Sequence, residues 1–188
     1  MAAAITAFFV RNTEISHNDF HTTPYDAISL GWGWGKIPSS GIPTQHNNAI
    51  KYNRIKNSTH HFSDGGAIYT LGPEGGDPNN LSDRSNWSEL TGNFVEGRGI
   101  AYYADNGTHY WNVVSNALPG GAWIIANVGT EDLYVDNVYN DIGYQIGLVS
   151  EPNRNITVTN TVYTPWVDNY NYPKGLQSIY CESGVEEQ

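Results

Sequence analysis

Six short segments of this 188-residue chain repeat one pattern, and they predict an all-β fold, a right-handed parallel β-helix with an asparagine ladder. The pattern is an apolar residue, two variable residues, an asparagine, one variable residue and a second apolar residue; the sixth segment fits it less well because its first position, Thr157, is polar. Self-similarity at a fixed period is typical of solenoids, in which each repeat contributes one coil. Strong helix formers are sparse and Asn, Gly and aromatic residues are plentiful, which favours short strands separated by turns.

The spacing of the repeated asparagines predicts the length of one coil. The six positions are Asn18, Asn53, Asn93, Asn116, Asn137 and Asn160. The last three intervals are 23, 21 and 23 residues, which is the period of a parallel β-helix. The first two intervals are longer, and we expect insertions at residues 32–45 and 73–86, which are rich in Gly, Pro, Ser and Asn.

A second strand in each coil is predicted between the asparagines, at residues 26–31, 66–72, 99–104, 122–128 and 144–149. Successive coils of such a fold stack about 4.8 Å apart, so one residue type at one coil position forms a ladder. Asparagine tolerates left-handed backbone at a corner, and its amide can bond to the backbone of neighbouring coils. The apolar residues on either side of each asparagine are expected to point into a shared core.

The two ends of the chain differ. Residues 173–184 predict a short C-terminal helix with Pro173 near its start and Gly184 after its end, placed as a cap on the last coil. No comparable cap is recognised at the N-terminus. We therefore expect upstream coils or an oligomer contact there, and we interpret residues 1–188 as a single domain, the C-terminal part of a longer β-helix.

Composition excludes several classes of partner. The formal net charge is -10, from 9 basic and 19 acidic residues, which argues against nucleic acid and anionic membranes and weakly against polyuronates. No apolar run approaches the length of a membrane span. Cys181 is the single cysteine, so no intrachain disulfide is possible. No metal-ligand spacing and no cofactor motif is recognised.

Several segments carry a family likeness. Residues 25–35, 47–55, 63–72 and 103–108, together with the tail at 177–186, resemble the secreted right-handed β-helix proteins of the pectate-lyase-like superfamily. The likeness is to glycoside-hydrolase-like members that have an Asp-Gly-Gly-X-Ile-Tyr motif, which stands here at residues 64–69. The resemblance implies secretion and carbohydrate as the partner. It covers nearly the whole chain but only the later part of such a domain.

One departure from the family pattern concerns a possible active-site residue. Where members often have Tyr-X-Asp-Glu-Gly, this chain has Asn106 in the place of the glutamate. An amide neither donates a proton as an acid nor serves as a useful base. If that glutamate is catalytic in the family, Asn106 cannot replace it.

Glycoside hydrolysis requires two carboxyl groups facing the scissile bond, about 5–5.5 Å apart in retaining enzymes and about 6.5–9.5 Å apart in inverting ones. Asp64 and Asp105 belong to successive long coils and are the predicted pair, with Asp64 as nucleophile or base and Asp105 as acid. The alternative is that both are turn residues that bond to backbone. Asp26 is expected to support or extend the site, whereas Glu74 and Glu151 are expected to be solvated.

Further residues are candidates for binding a sugar. Trp32 and Trp34 stand between glycines and could stack on sugar rings, or they could close over the core beneath their loop. His60 and His61 could hydrogen-bond sugar hydroxyls or tune a carboxylate, although exposed or structurally satisfied histidines are more common. Tyr69 and Asn106 complete the predicted binding set because they belong to the family-like segments.

Three functions remain open from the sequence. The first is a glycoside hydrolase-like activity on a neutral poly- or oligosaccharide. The second is a non-catalytic glycan-binding module, or an inactive fragment, that lost an acid at Asn106. The third is a polysaccharide lyase, which ranks last because that chemistry often uses a Lys or Arg base and a charge partner for a uronate, and basic residues are few.

Overall fold

The computed structural model describes residues 3–34, 43–58, 64–77, 79–80, 82–97, 99–120, 122–127, 129–141, 147–148, 155–164 and 172–186. Within these ranges the chain forms three six-stranded sheets and one helix. All strand pairs within the sheets are parallel.

Each sheet takes every third strand of the chain. The first sheet contains β1 (Ile5–Ala7), β4 (Ile28–Leu30), β7 (Ile68–Thr70), β10 (Gly99–Ala104), β13 (Ala122–Ala126) and β16 (Gly147–Leu148). The second contains β2 (Glu14–Ser16), β5 (Ala49–Lys51), β8 (Ser88–Thr91), β11 (Trp111–Val114), β14 (Leu133–Asp136) and β17 (Ile156–Thr159). The third contains β3 (Asp19–His21), β6 (Arg54–Lys56), β9 (Phe94–Glu96), β12 (Ala117–Leu118), β15 (Tyr139–Asp141) and β18 (Val162–Thr164).

This strand order is the topology of a parallel β-solenoid with three strands in each coil. The chain visits the first, second and third sheets in turn, and the next coil lies beside the previous one. The predicted parallel architecture is confirmed, and the right-handed sense of the coil stays a prediction. Both expected insertions lie between the first and second sheets, one between β4 and β5 and the other between β7 and β8.

The core runs along the solenoid axis because the strands stack in register. In the second sheet, Ile15, Ile50, Leu90, Val113 and Val135 form one ladder of buried side chains. Alternate residues of a strand face opposite sides, so their neighbours face outward. The same alternation buries Ile28 and Ile68 in the first sheet. The residue that follows each of them lies on the outer face of that sheet.

A ladder of four asparagines follows the second sheet. Asn18, Asn53, Asn93 and Asn116 stack in succession, each amide donating to the next side-chain oxygen, with sequence separations of 35, 40 and 23 residues. Each oxygen also accepts the backbone N–H of the preceding asparagine. Asn53, Asn93 and Asn116 are fully buried. The ladder therefore satisfies buried backbone groups at a corner that would otherwise lack partners.

The predicted ladder is wrong at its last two positions. Ala117 pairs with Tyr139, and Tyr139 pairs with Val162, so Val138 and then Thr161 follow Asn116 in the column. Asn137 instead donates to Ser115, 22 residues earlier. Asn137 and Asn160 occupy the left-handed corner position just before the column, with φ of 51° and 46°. Asparagine suits both positions, and this explains the one-residue error.

The C-terminal helix α1 (Lys174–Glu182) is confirmed, but its predicted role as a cap on the last coil is wrong. Its buried residues Leu176 and Ile179 pack with Phe94 and Ala117 on the outer face of the third sheet. Beyond its end, Gly184 N donates to the carbonyl oxygen of Tyr52 in the second coil. The helix therefore lies along the side of the solenoid, because its apolar stripe matches an apolar strip there.

Arg54 anchors the end of this helix. Its Nη2 donates to the carbonyl oxygens of Tyr180 at 3.0 Å and Ser183 at 2.6 Å. Its guanidinium also lies 4.5 Å from the centre of the Tyr180 ring, within range of a cation–π interaction. A cation at a helix C-terminus is favourable because the last carbonyls carry partial negative charge.

The N-terminal strands β1, β2 and β3 each form one edge of their sheet. Phe8 and Phe9 follow β1 and are 43% and 57% exposed. The expected upstream coils or oligomer contact at this edge stay a prediction. No described helix is long and apolar enough to cross a membrane.

The ladder makes a direct prediction for Asn93. We expect Asn93→Ala to lower the free energy of unfolding by about 3 kcal/mol, because it leaves buried donors and acceptors on two neighbouring coils unpaired. Urea denaturation measures this loss. Asn137→Gly is the matched control and is expected to lose less than about 1 kcal/mol, because glycine tolerates the left-handed backbone there. Equal losses in both variants would contradict the assigned ladder.

Candidate functional site

Two tyrosines lie side by side on the outer face of the first sheet. Tyr69 of β7 pairs in register with Tyr103 of β10. Their ring centres lie 5.5 Å apart with the rings nearly perpendicular, an arrangement favoured by the charge distribution of aromatic rings. Tyr69 is half-buried, whereas Tyr103 is 8% exposed. The pair forms the floor of the candidate site.

Asp105 follows β10 directly and is held by residues from three successive coils. The Tyr69 hydroxyl donates to its Oδ2. Asn127 Nδ2 donates to its Oδ1 at 2.6 Å, and Asn106 Nδ2 donates to the same oxygen at 3.2 Å. Asn127 also donates to the Tyr103 hydroxyl at 2.9 Å. Asp105 is 7% exposed, and these contacts fix the orientation of its carboxylate.

Asp26 and Asp64 lie before the strands β4 and β7, at the opposite end of the first sheet from Asp105. Asp26 is 1% exposed, and its Oδ1 accepts the backbone N–H of Gly66 at 3.0 Å. Asp64 is exposed, and its carbonyl oxygen accepts a bond from the Tyr25 hydroxyl at 2.7 Å. Asp26 therefore supports the turn that carries Asp64, while the Asp64 side chain is open to solvent.

Glycine is required in this turn because backbone and side chains approach closely. A Cβ added at Gly65 would lie 2.5 Å from the Asp26 Oδ1 atom. A Cβ at Gly66 would lie 2.9 Å from the Cβ of Tyr103. The Asp-Gly-Gly motif is thus explained by packing: the turn lies directly on the buried carboxyl of Asp26 and against the tyrosine floor.

These groups form one electrostatic unit, which we call the carboxylate–tyrosine cluster. Its members are Tyr25, Asp26, Asp64, Tyr69, Tyr103, Asp105, Asn106 and Asn127. The pKa of Asp26 is raised to about 7, mainly by burial; the bond from Gly66 opposes the rise and the Asp64 charge adds to it. Burial also raises the pKa of Tyr103 to about 12, with contributions from the charges of Asp105 and Asp64. The charges of Asp64 and Asp105 therefore both raise the pKa of Tyr103.

Tyr69 shows the same effect more strongly. Burial is the main cause that raises the pKa of Tyr69 far above its ordinary value. The hydrogen bond to Asp105 and the Asp105 charge act in the same direction. A hydroxyl that donates to a carboxylate keeps its proton, because the phenolate would face a like charge. Tyr69 is therefore a neutral donor in the cluster at physiological pH.

The two predicted tryptophans lie beside the cluster and are open to solvent. Trp32 is 37% exposed and Trp34 is 53% exposed, with ring centres 4.3 Å apart. Phe8 packs on Trp32 with ring centres 4.8 Å apart. These two tryptophans and Phe8 and Phe9, which we call the aromatic strip, expose large apolar area. The expectation that the indoles close over the core is therefore wrong for these two residues.

The aromatic strip lies in earlier coils than Asp105, at the turn that corresponds to the Asp105 turn. A Cβ at Gly72 would lie 2.3 Å from the Trp32 carbonyl oxygen, and Gly72 N donates to the Asn106 carbonyl oxygen. The backbones of Trp32, Gly72 and Asn106 are therefore neighbours in successive coils. Two coil steps separate Trp32 from Asn106, a distance of about 10 Å. This is within the span of a short oligosaccharide.

The structure thus unites Asp26, Asp64, Tyr69, Asp105 and Asn106 in one cluster, with Trp32 and Trp34 close by. His60 and His61 lie outside the described residues. Sequence reasoning missed Tyr25, Tyr103 and Asn127. Asn127 follows Asp105 by 22 residues, one coil length, and that spacing was a usable signal.

Glu74 corrects another expectation. It is 1% exposed and not solvated, and its Oε2 accepts bonds from Ser88 Oγ at 2.6 Å and Asn48 Nδ2 at 2.9 Å. Burial raises its pKa to about 7 despite these two bonds. Its contacts fasten the second insertion to neighbouring coils, so its role is structural. Glu151 lies outside the described residues.

A comparison with solved structures finds the same fold elsewhere. A structure named as a glycoside hydrolase superposes on 97% of this chain with a TM-score of 0.52 and 23% sequence identity. The chain spans 24% of that protein's length. At this identity the likeness establishes the fold alone. No family model matches this chain, and no curated protein matches it.

The raised pKa of Asp26 predicts a pH dependence of stability. Its pKa is about 7 in the folded chain and near 3.8 when exposed, so the folded chain binds this proton more tightly. The resulting stabilisation is complete below about pH 4 and is lost as the pH rises through 7. Between pH 5 and pH 8 the unfolding free energy of the wild-type chain is expected to fall as this stabilisation is lost. In Asp26→Asn we expect that fall to be smaller by about 2 kcal/mol.

Denaturant titrations at the two pH values measure this difference, and Asp83→Asn is the control. Asp83 is exposed, and its bonds from Ser85 lower its pKa, so it does not titrate in this window. Glu74 contributes equally to both variants. The prediction would be refuted if the unfolding free energy of Asp26→Asn changed between pH 5 and pH 8 by as much as that of the wild-type chain.

Proposed function

We propose that this chain is a carbohydrate-active β-solenoid of glycoside hydrolase type, acting on a neutral poly- or oligosaccharide. The observation that carries the proposal is the arrangement of Asp64 and Asp105 around the tyrosine floor. The charges of both carboxylates raise the pKa of Tyr103. Asp64 precedes β7 and Asp105 follows β10 of the same sheet. A secreted location belongs to the same proposal.

The chemistry assigned to the pair follows from their different surroundings. Asp64 is exposed and able to reach an anomeric carbon or a water molecule, which suits a nucleophile or base. Asp105 is largely enclosed and is the proposed acid. Asp26 is a positioning residue, because it is buried and holds the turn beneath Asp64.

The aromatic strip supports binding of a neutral sugar. Exposed indole faces such as those of Trp32 and Trp34 complement the C–H faces of pyranose rings, while sugar hydroxyls reach nearby polar groups. The described members of the carboxylate–tyrosine cluster include three carboxylates and neither Lys nor Arg. Uronate carboxylates would be repelled there, so the proposal favours hydrolysis of neutral glycan over elimination on a uronate.

A second function, glycan binding without cleavage, is favoured by one observation. The Asp105 carboxylate accepts hydrogen bonds from Asn106, Tyr69 and Asn127. An aspartate that already accepts three internal hydrogen bonds is less available to a substrate oxygen. Asn106 also stands where the family-like pattern has a glutamate. In this case Trp32 and Trp34 carry the affinity and no bond is broken.

The test combines reducing-sugar release and affinity measurement on a panel of neutral glycans. We expect wild-type chain to release reducing ends from at least one glycan. Asp64→Asn and Asp105→Asn are expected to reduce that rate by at least roughly a hundredfold, because each removes a carboxyl group required in the transition state. Asp83→Asn lies in the second insertion and is the control.

Three results distinguish the alternatives. Unchanged turnover in both cluster variants would refute the assigned pair. Affinity without cleavage, abolished by Trp32→Ala and Trp34→Ala, would replace hydrolysis by glycan binding. Absence of both cleavage and affinity across the panel would overturn both functions.

A further inference from the structure

The geometry points to a divalent-cation site formed by His109, Glu131 and Asp132, which would link the turns of two neighbouring coils. The three residues lie outside the carboxylate–tyrosine cluster. The sequence indicates no metal site, because these residues form no recognised ligand spacing. Their proximity arises from the stacking of one coil on the next.

In-register stacking brings the three side chains together. Trp111 of β11 pairs with Leu133 of β14. The backbone hydrogen bond from Tyr110 N to the Asp132 carbonyl oxygen extends this pairing by one residue toward the N-terminus. One step further back, Glu131 N donates to the Thr108 carbonyl oxygen. His109 therefore lies directly beside Glu131 in the adjacent coil. Asp132 has left-handed backbone, with φ of 49°, at the corner that follows.

The distances suit ligands of a single ion. One ligand atom from each of the three residues lies within 4.8 Å of the others. His109 Nδ1 lies 3.5 Å from Asp132 Oδ2. Two ligands of a tetrahedral ion, each about 2.1 Å from the metal, stand about 3.4 Å apart. The observed nitrogen–oxygen separation is therefore already that of a coordinated pair.

The buried nitrogen of His109 is a second observation that indicates a ligand. His109 is 4% exposed, and among the described residues its Nδ1 has no hydrogen-bond partner. A buried polar atom without a partner is costly, and in native proteins such atoms commonly face an ion or an ordered water. Nδ1 faces the Asp132 carboxylate without the geometry of a hydrogen bond, as expected where a metal ion would lie between them.

Asp132 is prepared for coordination by its second oxygen. Asn155 Nδ2 donates to Asp132 Oδ1 at 2.9 Å, which leaves Oδ2 directed toward His109. Such an outer bond fixes the orientation of a ligating carboxylate. Asp132 is 7% exposed, and Glu131 is the most exposed of the three. Glu131 therefore marks the side from which an ion would enter.

The donor set selects the class of metal. One imidazole nitrogen with two carboxylates suits Zn²⁺, Co²⁺ or Mn²⁺. Calcium and magnesium prefer oxygen ligands throughout, so they fit less well. Three protein ligands leave at least one position for water.

An ion here would act on the cluster through the two turns that it joins. The turn from Asp105 to His109 begins at the cluster, and the turn from Asn127 to Asp132 begins with the residue that bonds Asp105 at 2.6 Å. The near ends of the two turns are thus joined by this hydrogen bond. The far ends would be joined by the metal. The ion would stiffen the support of Asp105 without touching a substrate.

The experiment is a Co²⁺ titration of the chelator-treated full chain, followed by visible absorption and calorimetry. We expect one ion per chain, d–d bands of low-coordinate cobalt, competition by Zn²⁺ and a raised melting temperature. His109→Gln and Asp132→Asn should abolish binding. Glu131→Gln should weaken it roughly tenfold to a hundredfold, since it removes one of three ligands. His21→Gln is the control, because His21 pairs only with Asp19 among its described ion pairs.

Glu131→Gln keeps the test valid if the buried variants do not fold, because its side chain is the most exposed. Circular dichroism confirms folding of each variant. The site would be disproved by absence of binding at millimolar Co²⁺ or Zn²⁺. It would also be disproved by equal affinity in wild type and a folded Glu131→Gln or His109→Gln variant.

Discussion

The amide ladder of Asn18, Asn53, Asn93 and Asn116 is the interaction on which the rest of the structure depends. Each coil must turn a corner after the second sheet, and this turn exposes backbone N–H and C=O groups inside the molecule. The asparagine amides satisfy these groups across coils and also bond to one another. An asparagine has one donor group and one acceptor group, and each member of the buried ladder uses both. The ladder therefore imposes one register on the neighbouring strands.

That register assembles the candidate site from residues that are distant in sequence. Tyr69 and Tyr103 become neighbours because β7 and β10 are stacked. Asp105 and Asn127 become neighbours because the next coil repeats the same turn. The site lies on the first sheet, where turns are long enough to carry polar groups and where glycines allow the turn at Asp64 to pack closely. Insertions change the length of a coil without changing the register of its strands.

The sequence predicted the parallel architecture, the two insertions and the helix boundaries because these depend on composition and period. Its assignment of Asp26, Asp64, Tyr69 and Asp105 to one functional site stays a prediction. Sequence reasoning failed where one residue of register decides the result. Asn137 satisfies the repeated pattern, although Val138 is the residue that lies in the column after Asn116. Asparagine fits both the ladder and the left-handed corner, so spacing alone cannot separate the two.

Other features required the three-dimensional structure. Glu74 resembles a solvated loop residue in the sequence, but it is buried because Asn48 and Ser88 meet its carboxylate. The helix has the apolar period of a packing element, yet its partner surface is visible only once Phe94 and Ala117 share one face. His109 and Asp132 show no motif, because their contact depends on stacking between coils.

Disulfide trapping of strand register tests the central claim most directly. In a Cys181→Ser background, Thr91→Cys with Val114→Cys places two thiols at paired positions of β8 and β11. Thr91→Cys with Asp136→Cys places them two coils apart, about 9.6 Å, beyond the reach of a disulfide. We predict that mild oxidation links the first pair quantitatively and leaves the second free, with native circular dichroism in both. Equal linking of the two pairs, or failure of the first pair, would contradict the register and the site built on it.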